Sequence, residues 1–202
     1  MNSVIFKGPD KRKSERHADT RVRSDVSVSS VHISLSAVLN SGCADIYARW
    51  DACRGDRFAP SWQDLDLSSL SSNQIKYTHM VDVTAVPFDI VFRFWGTGLT
   101  NVLNFDRTGQ SLLTTDMGYL EEARRTQVLS DYRDVLVKRT PMPFLWDASV
   151  TRMYGQRLIV PSIRLPLSSD GRSVTNIVTH FDFASQDQEI WEEMFGVHDR
   201  NI

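Results

Sequence analysis

Between residues 36 and 55, in SAVLNSGCADIYARWDACRG, apolar side chains return at alternating steps of four and three: Leu39, Cys43, Ile46, Trp50 and Cys53. That spacing is one face of an α-helix, and Gly55 is a natural C-terminal stop. A polar connection follows, with a short helical turn near Asp64-Leu65-Asp66. The period then changes from helical to strand-like. In IKYTHMVDV, residues 75–83, Ile75, Tyr77, His79, Val81 and Val83 lie on one face, with Lys76, Thr78 and Asp82 on the other. In FDIVFRFW, residues 88–95, Phe88, Ile90, Phe92 and Phe94 share a face opposite Asp89 and Arg93. Two half-buried strands joined as a hairpin are predicted.

Residues 97–117 read as irregular or helical, and residues 118–139 as the longest helix, with Leu120, Val128, Tyr132, Val135 and Leu136 on one face. Glu121 and Glu122 sit near its positive end and Lys138 and Arg139 near its negative end; Pro141 stops it. Three strand-type runs follow, at 142–151, 157–168 and 173–183, which read as an antiparallel meander. Pro161 and Pro166 argue for an edge or a bulge in the middle run, because proline cannot donate to the ladder. The end of the chain, 185–202, reads as a tail or a short helix presenting Ile190, Trp191, Met194 and Phe195.

Composition changes this picture mainly at the N-terminus. Residues 7–23 carry seven Lys/Arg against three Asp/Glu, whereas the whole chain carries 23 against 25, so the remainder is net acidic. Few large apolar residues accompany that charge, and residues 1–33 are expected to be a disordered basic tail. The folded part, 34–184, suits one domain, since 202 residues with 41% hydrophobic content bury one sizeable core. No signal-type apolar segment and no run of about 18 apolar residues is present, so a cytoplasmic protein without membrane association is expected. The basic tail lacks the aromatic interleaving of a nucleic-acid binder, which disfavours that partner. Cys43 and Cys53, ten residues apart on one helix, stand too far apart to bridge and read as small buried hydrophobes.

The chemistry-bearing motifs are sparse. Gly96-Thr97-Gly98 supplies two glycines of a dinucleotide fingerprint and lacks the third, and the strand before it alternates where a parallel nucleotide-binding sheet needs a continuous apolar run. A sharp corner needs less. His79 and His180 fall on strands that bind a metal only if they are neighbours and a third ligand exists, and none is evident. There is no GxSxG, and the carboxylate pairs Asp64/Asp66 and Glu121/Glu122 sit where caps and helix starts carry them. No catalytic residue and no metal ligand is assigned. The competing reading is a small cone-shaped α+β enzyme acting on an apolar small molecule, with Asp147 as its acid or base; alternation places Asp147 opposite Phe144, Trp146 and Ala148.

The order of elements, together with Tyr47 to Trp50, Cys53-Arg54-Gly55, Pro60, Asp64-Leu65-Asp66, Phe92-Arg93-Phe94-Trp95-Gly96-Thr97, Asp106-Arg107-Thr108-Gly109 and Leu165-Pro166-Leu167-Ser168-Ser169-Asp170-Gly171, resembles a PAS domain. More specifically it is similar to the bacterial PAS-like family found as short single-domain proteins in alphaproteobacteria, over roughly residues 36–183. The resemblance implies an α+β fold: a five-stranded antiparallel sheet split two-plus-three by helices, with an N-terminal flanking helix. It also implies a sensory or regulatory role with a signalling protein partner, and leaves the cofactor unknown. Residues 97–140 hold no cysteine for covalent flavin photochemistry and residues 118–139 no histidine for haem, so a small organic ligand, or none, is expected. Its pocket candidates are Phe92, Phe94, Leu99, Leu103, Phe105, Tyr132, Trp146, Ile163 and Phe181, residues that suit a closed core equally well. The face Leu39, Cys43, Ile46, Trp50 and Cys53 needs a partner surface, either the protein's own sheet or, as PAS-like proteins commonly arrange it, a second copy; a homodimer is expected.

Overall fold

The computed structural model describes residues 28–114, 122–149 and 157–183. Their α+β fold is built on one antiparallel sheet of six strands: β1 (Val28–His32), β2 (Thr78–Ala85), β3 (Phe88–Trp95), β4 (Met142–Ser149), β5 (Arg157–Leu167) and β6 (Asn176–Phe181). The spatial order is β1-β4-β5-β6-β2-β3. Around the sheet lie α1 (Leu35–Val38), α2 (Cys43–Arg54), α3 (Trp62–Leu65), α4 (Ser72–Ile75), α5 (Thr97–Leu103) and α6 (Glu122–Lys138), with a 3-10 turn at Leu67–Ser69. The expected helix at the end of the chain lies outside the described residues, as does Leu120.

Six strands, not the expected five, make the sheet, and the additional one falls inside the stretch expected to be disordered. Val-Ser-Ser-Val-His has too little apolar surface to hold itself in place. β1 is held instead by a backbone ladder to β4, from Val28↔Ala148 to His32↔Phe144, and by Ser30 Oγ, which donates to Asp131 Oδ2 on α6 at 2.6 Å. An edge strand needs only such a ladder and an anchor, and composition registers neither.

The expected single helix over 36–55 is two helices. Asn40, Ser41 and Gly42 are weak helix formers, and the chain turns there before restarting at Cys43. Ser34 Oγ caps α1 by accepting from the Ala37 amide at 3.2 Å, whereas α2 begins against a distant carboxylate, the Gly42 amide donating to Asp182 Oδ2 at 2.6 Å. The apolar spacing survives the break. Cys43, Ile46 and Trp50 are fully or almost fully buried, and Leu39 partly so, in a cluster with Met80, Ile163, Leu165, Leu167 and Val178 from β2, β5 and β6. The seam offered above to a second copy is therefore covered by the protein's own sheet, which corrects the dimer through that face. Cys53 is half-buried, its thiol directed to the Asp64 carbonyl at 3.4 Å.

β5 was expected at an edge or with a bulge because of its prolines, yet it lies between β4 and β6. Each proline stands where a neighbouring strand has run out. β6 pairs with β5 only from Ser162 to Leu167, and beyond its end the Pro161 carbonyl accepts from the Asp182 amide at 2.8 Å. β4 pairs only as far as Arg164, and beyond it the Pro166 carbonyl accepts from Trp50 Nε1 at 2.7 Å. Neither missing N–H leaves a hole in the ladder.

A second departure from alternation sits in the hairpin. Met80 pairs with Phe94 but Val81 with Phe92, so Arg93 is an extra residue, a β-bulge. Phe92 consequently joins the core on the α5–α6 side of the sheet, and Phe94 packs on the α1–α4 side. The sheet is covered on both faces, and β6 is buried along its whole length.

The two glycines after β3 belong to close packing. A Cβ at Gly96 would run into the Lys76 carbonyl, and one at Gly98 would lie 2.5 Å from Tyr77 Cε1 and 2.9 Å from the Lys76 oxygen. The Leu99 amide, which a phosphate loop would hold open, donates to Lys76 O at 3.2 Å and to Gly96 O at 3.0 Å. This is a corner against the end of α4. Gly98→Ala is expected to lower stability by about 1–3 kcal/mol in urea unfolding, as overpacking does; a loss within about 0.5 kcal/mol, the size of a surface change, would show that the corner has room.

Candidate functional site

On the α5–α6 side of the sheet a row of side chains crosses four strands at right angles. Arg164 of β5 pairs with Thr179 of β6, Thr179 with His79 of β2, and His79 with Trp95 of β3. Residues directly paired across antiparallel strands project from one face, so these four stand side by side, spanning three strand spacings or about 14 Å. All four are at least nine-tenths buried. Around them lie Phe92, Phe144, Trp146 and Phe181, and Tyr132 reaches down from α6.

The surroundings keep the imidazole of His79 neutral. Burial first, and the charge of Arg164 second, push its pKa down to about 3. Its ring stacks on Trp95 with 5.2 Å between centroids and 3° between planes, meets Phe92 edge-on at 5.4 Å, and shares a hydrogen bond of 2.7 Å between Nε2 and the Tyr132 hydroxyl. Burial raises the Tyr132 pKa, against the charge of Arg164 and the side chains of Thr179 and Arg164, which approach its oxygen without reaching full hydrogen-bonding geometry. Arg164 lies with its guanidinium 4.0 Å above the Phe144 ring and 4.8 Å from that of Tyr132.

Asp131 neutralises Arg164 at a distance. Its Oδ2 is 3.6 Å from Nη1, an ion-pair separation beyond hydrogen-bonding range. The carboxylate is itself well bonded, since Oδ2 accepts from Ser30 Oγ at 2.6 Å and Oδ1 from Gln127 Nε2 at 2.7 Å, while His32 Nε2 lies 3.8 Å from Oδ1. The guanidinium is thus compensated in charge, while its Nε and Nη1 make no hydrogen bond. Each member of the row has a buried polar atom without a hydrogen-bond partner: Arg164 Nε and Nη1, Thr179 Oγ1, His79 Nδ1 and Trp95 Nε1. Folded proteins leave few such atoms, and here they form a contiguous line in an aromatic surround.

Seven of the nine pocket candidates, Phe92, Leu99, Leu103, Phe105, Tyr132, Trp146 and Phe181, belong to the cluster on this side of the sheet. Phe94 and Ile163 belong to the other face, Phe94 because of the bulge and Ile163 because it alternates with Arg164. Sequence reasoning missed Arg164 and Thr179. Between Ile163 and Leu165, an arginine reads as the solvent side of a half-buried strand, and only the covering of both faces makes it an interior residue.

His79 and His180 do not converge. His180 pairs in register with Thr78, one residue away from His79, and so faces the opposite side of the sheet. Thr78 Oγ1 donates to the Gln74 carbonyl at 2.8 Å, so the 3.0 Å contact to His180 Nδ1 is an N–H donated by the imidazole. Burial pushes the His180 pKa down to about 4, against the nearby Asp182 charge. His180 lines a polar cleft of about 250 Å³ with Asp45, Gln74, Tyr77 and Asp182. Asp182 there holds the start of α2, a structural task. Among the described residues no three His, Cys, Asp or Glu side chains are grouped to hold a metal ion, and no helix is long and apolar enough to cross a membrane. Cys43 is buried, which pushes its thiol up to about 12 and leaves it unreactive at neutral pH. The Asp147 side chain, the acid or base of the enzyme reading, lies outside the described residues.

Compared with protein-family models, with curated proteins and with solved structures, the chain finds no match.

Proposed function

We propose that this chain is a PAS-like sensory domain that takes a small organic molecule against the α5–α6 face of its sheet and signals occupancy through contact with a protein partner. The observation that carries the reading is the row Arg164, Thr179, His79 and Trp95, four interior residues with unpartnered polar atoms in an aromatic surround. Such a combination, mostly apolar with a few convergent polar groups, is the usual make-up of a small-molecule site. Strand order supports the same reading. Without β1, the sheet runs β4-β5-β6-β2-β3, with the first two strands of the chain separated from the last three by α5 and α6 and rejoined at the β6–β2 contact. Covering of the α2 face by the sheet directs the output away from that helix.

Native mass spectrometry on protein purified from the cells that make it naturally is expected to reveal a copurifying small molecule, and a metabolite panel to contain compounds that raise the melting temperature. Absence of both overturns the reading.

A further inference from the structure

We propose, resting on that reading, that the ligand is a carboxylic acid whose anionic head is bound by Arg164. The hydrogen-bonding character of the row decides the chemistry. Arg164 Nε and Nη1 and Trp95 Nε1 can only donate. Thr179 Oγ1 can do either. His79 Nε2 and the Tyr132 hydroxyl share one hydrogen bond in which either can donate, so the free Nδ1 can take either role as well. The two ends of the row, Arg164 and Trp95, can only donate, and Thr179 and His79 between them can adapt, so a molecule that satisfies the row carries acceptor oxygens.

Charge places the head of that molecule. Asp131 balances the charge of Arg164 from 3.6 Å, beyond hydrogen-bonding range of its N–H groups, while its oxygens accept from Ser30 and Gln127. A carboxylate is the acceptor best matched to an arginine, and charge-assisted bonds are the strongest it can form. The rings of Phe144, Trp146 and Phe181 supply an apolar wall beside it, suited to a flat hydrocarbon body. Asp131 opposes the second negative charge, so its removal strengthens binding. It also ties occupancy to the rest of the molecule, since the same carboxylate anchors β1 through Ser30.

Calorimetric titration of the full chain with benzoate and phenylacetate, and with their neutral amides benzamide and phenylacetamide, tests the assignment. The acids are expected to bind at least about tenfold more tightly than the amides. Arg164→Met abolishes that preference and Arg164→Lys weakens it, whereas Asp131→Asn tightens the acids by about tenfold and leaves the amides unchanged. If Arg164→Met does not fold, as circular dichroism would reveal, the lysine and asparagine variants carry the same comparison. Equal binding of acids and amides, no binding of either, or an acid affinity indifferent to Asp131→Asn overturns the proposal. A neutral copurifying molecule also overturns it while leaving the sensory reading intact.

Discussion

Trp50→Ala is expected to destabilise the isolated chain by about 3–5 kcal/mol, the range for emptying a buried tryptophan site. Trp50 is 2% exposed and lies in the cluster that joins α2 to β5 and β6. Its indole also satisfies the Pro166 carbonyl at 2.7 Å, at the point where β4 no longer flanks β5. Alanine thus leaves both a cavity and a buried acceptor without a donor, and the second loss adds to the first. Trp50→Phe separates them: it keeps most of the apolar volume, loses the hydrogen bond, and is expected to cost about 1–3 kcal/mol. Val137, on α6 and 73% exposed, is the control, since its replacement by alanine should change stability by no more than about 0.5 kcal/mol. Urea unfolding at two protein concentrations completes the test. A concentration-independent midpoint is expected, because the face is covered within one chain; a Trp50→Ala loss that disappears on dilution would restore the face to a dimer.

The distinction between what periodicity revealed and what it concealed follows from the physics of each signal. The bounds of FDIVFRFW were legible because a half-buried strand alternates, and β3 runs from Phe88 to Trp95 as expected, although Phe94 leaves the face it was expected to share with Phe88, Ile90 and Phe92. β2 begins at Thr78, three residues later than the alternation from Ile75 predicts. Ser71 and Gln74 form a reciprocal capping box, Ser71 Oγ accepting from the Gln74 amide at 3.3 Å and Gln74 Oε1 from the Ser71 amide at 3.0 Å, so 72–75 is a helical turn and Ile75 is not in the strand. That motif was present in the sequence. The bulge at Arg93 was not, because no residue type demands it.

The candidate site was half legible for a related reason. Its aromatic lining and Tyr132 come from large apolar residues, whose burial is a safe expectation. Arg164 and Thr179 obey the same alternation as surface residues, and their burial depends on α6 lying across the sheet, a tertiary fact. The same holds for β1, which is anchored by Asp131, 101 residues from Ser30 in the sequence.

Acid should unfold this protein over a window set by His79 and His180, the two buried histidines among the described residues. Burial holds His79 down to about 3 and His180 down to about 4, against about 6.5 in an unfolded chain. Between those values the unfolded state binds protons that the folded state refuses, so stability rises with pH. The contribution is complete above about pH 6.5 and is lost as pH falls toward the folded values. With both imidazoles titrating only in the unfolded chain, the slope is on the order of 3 kcal/mol per pH unit between about pH 5.5 and 4.5. That is a large part of the stability of an ordinary domain, about 5–15 kcal/mol. Asp64, Asp66, Asp134 and Asp170, whose pKa values hydrogen bonds from nearby residues such as Ser61, Ser68, Lys138 and Ser173 lower, stay ionised through this window and add their own losses only in stronger acid. Urea unfolding at half-unit steps from pH 7.5 to 4.5 measures the slope, and His79→Gln with His180→Gln removes its source. The double variant is expected to start less stable, having lost the contacts to Tyr132 and Thr78, but to show a nearly flat profile over the same range. A slope unchanged from the parent would place the acid sensitivity elsewhere.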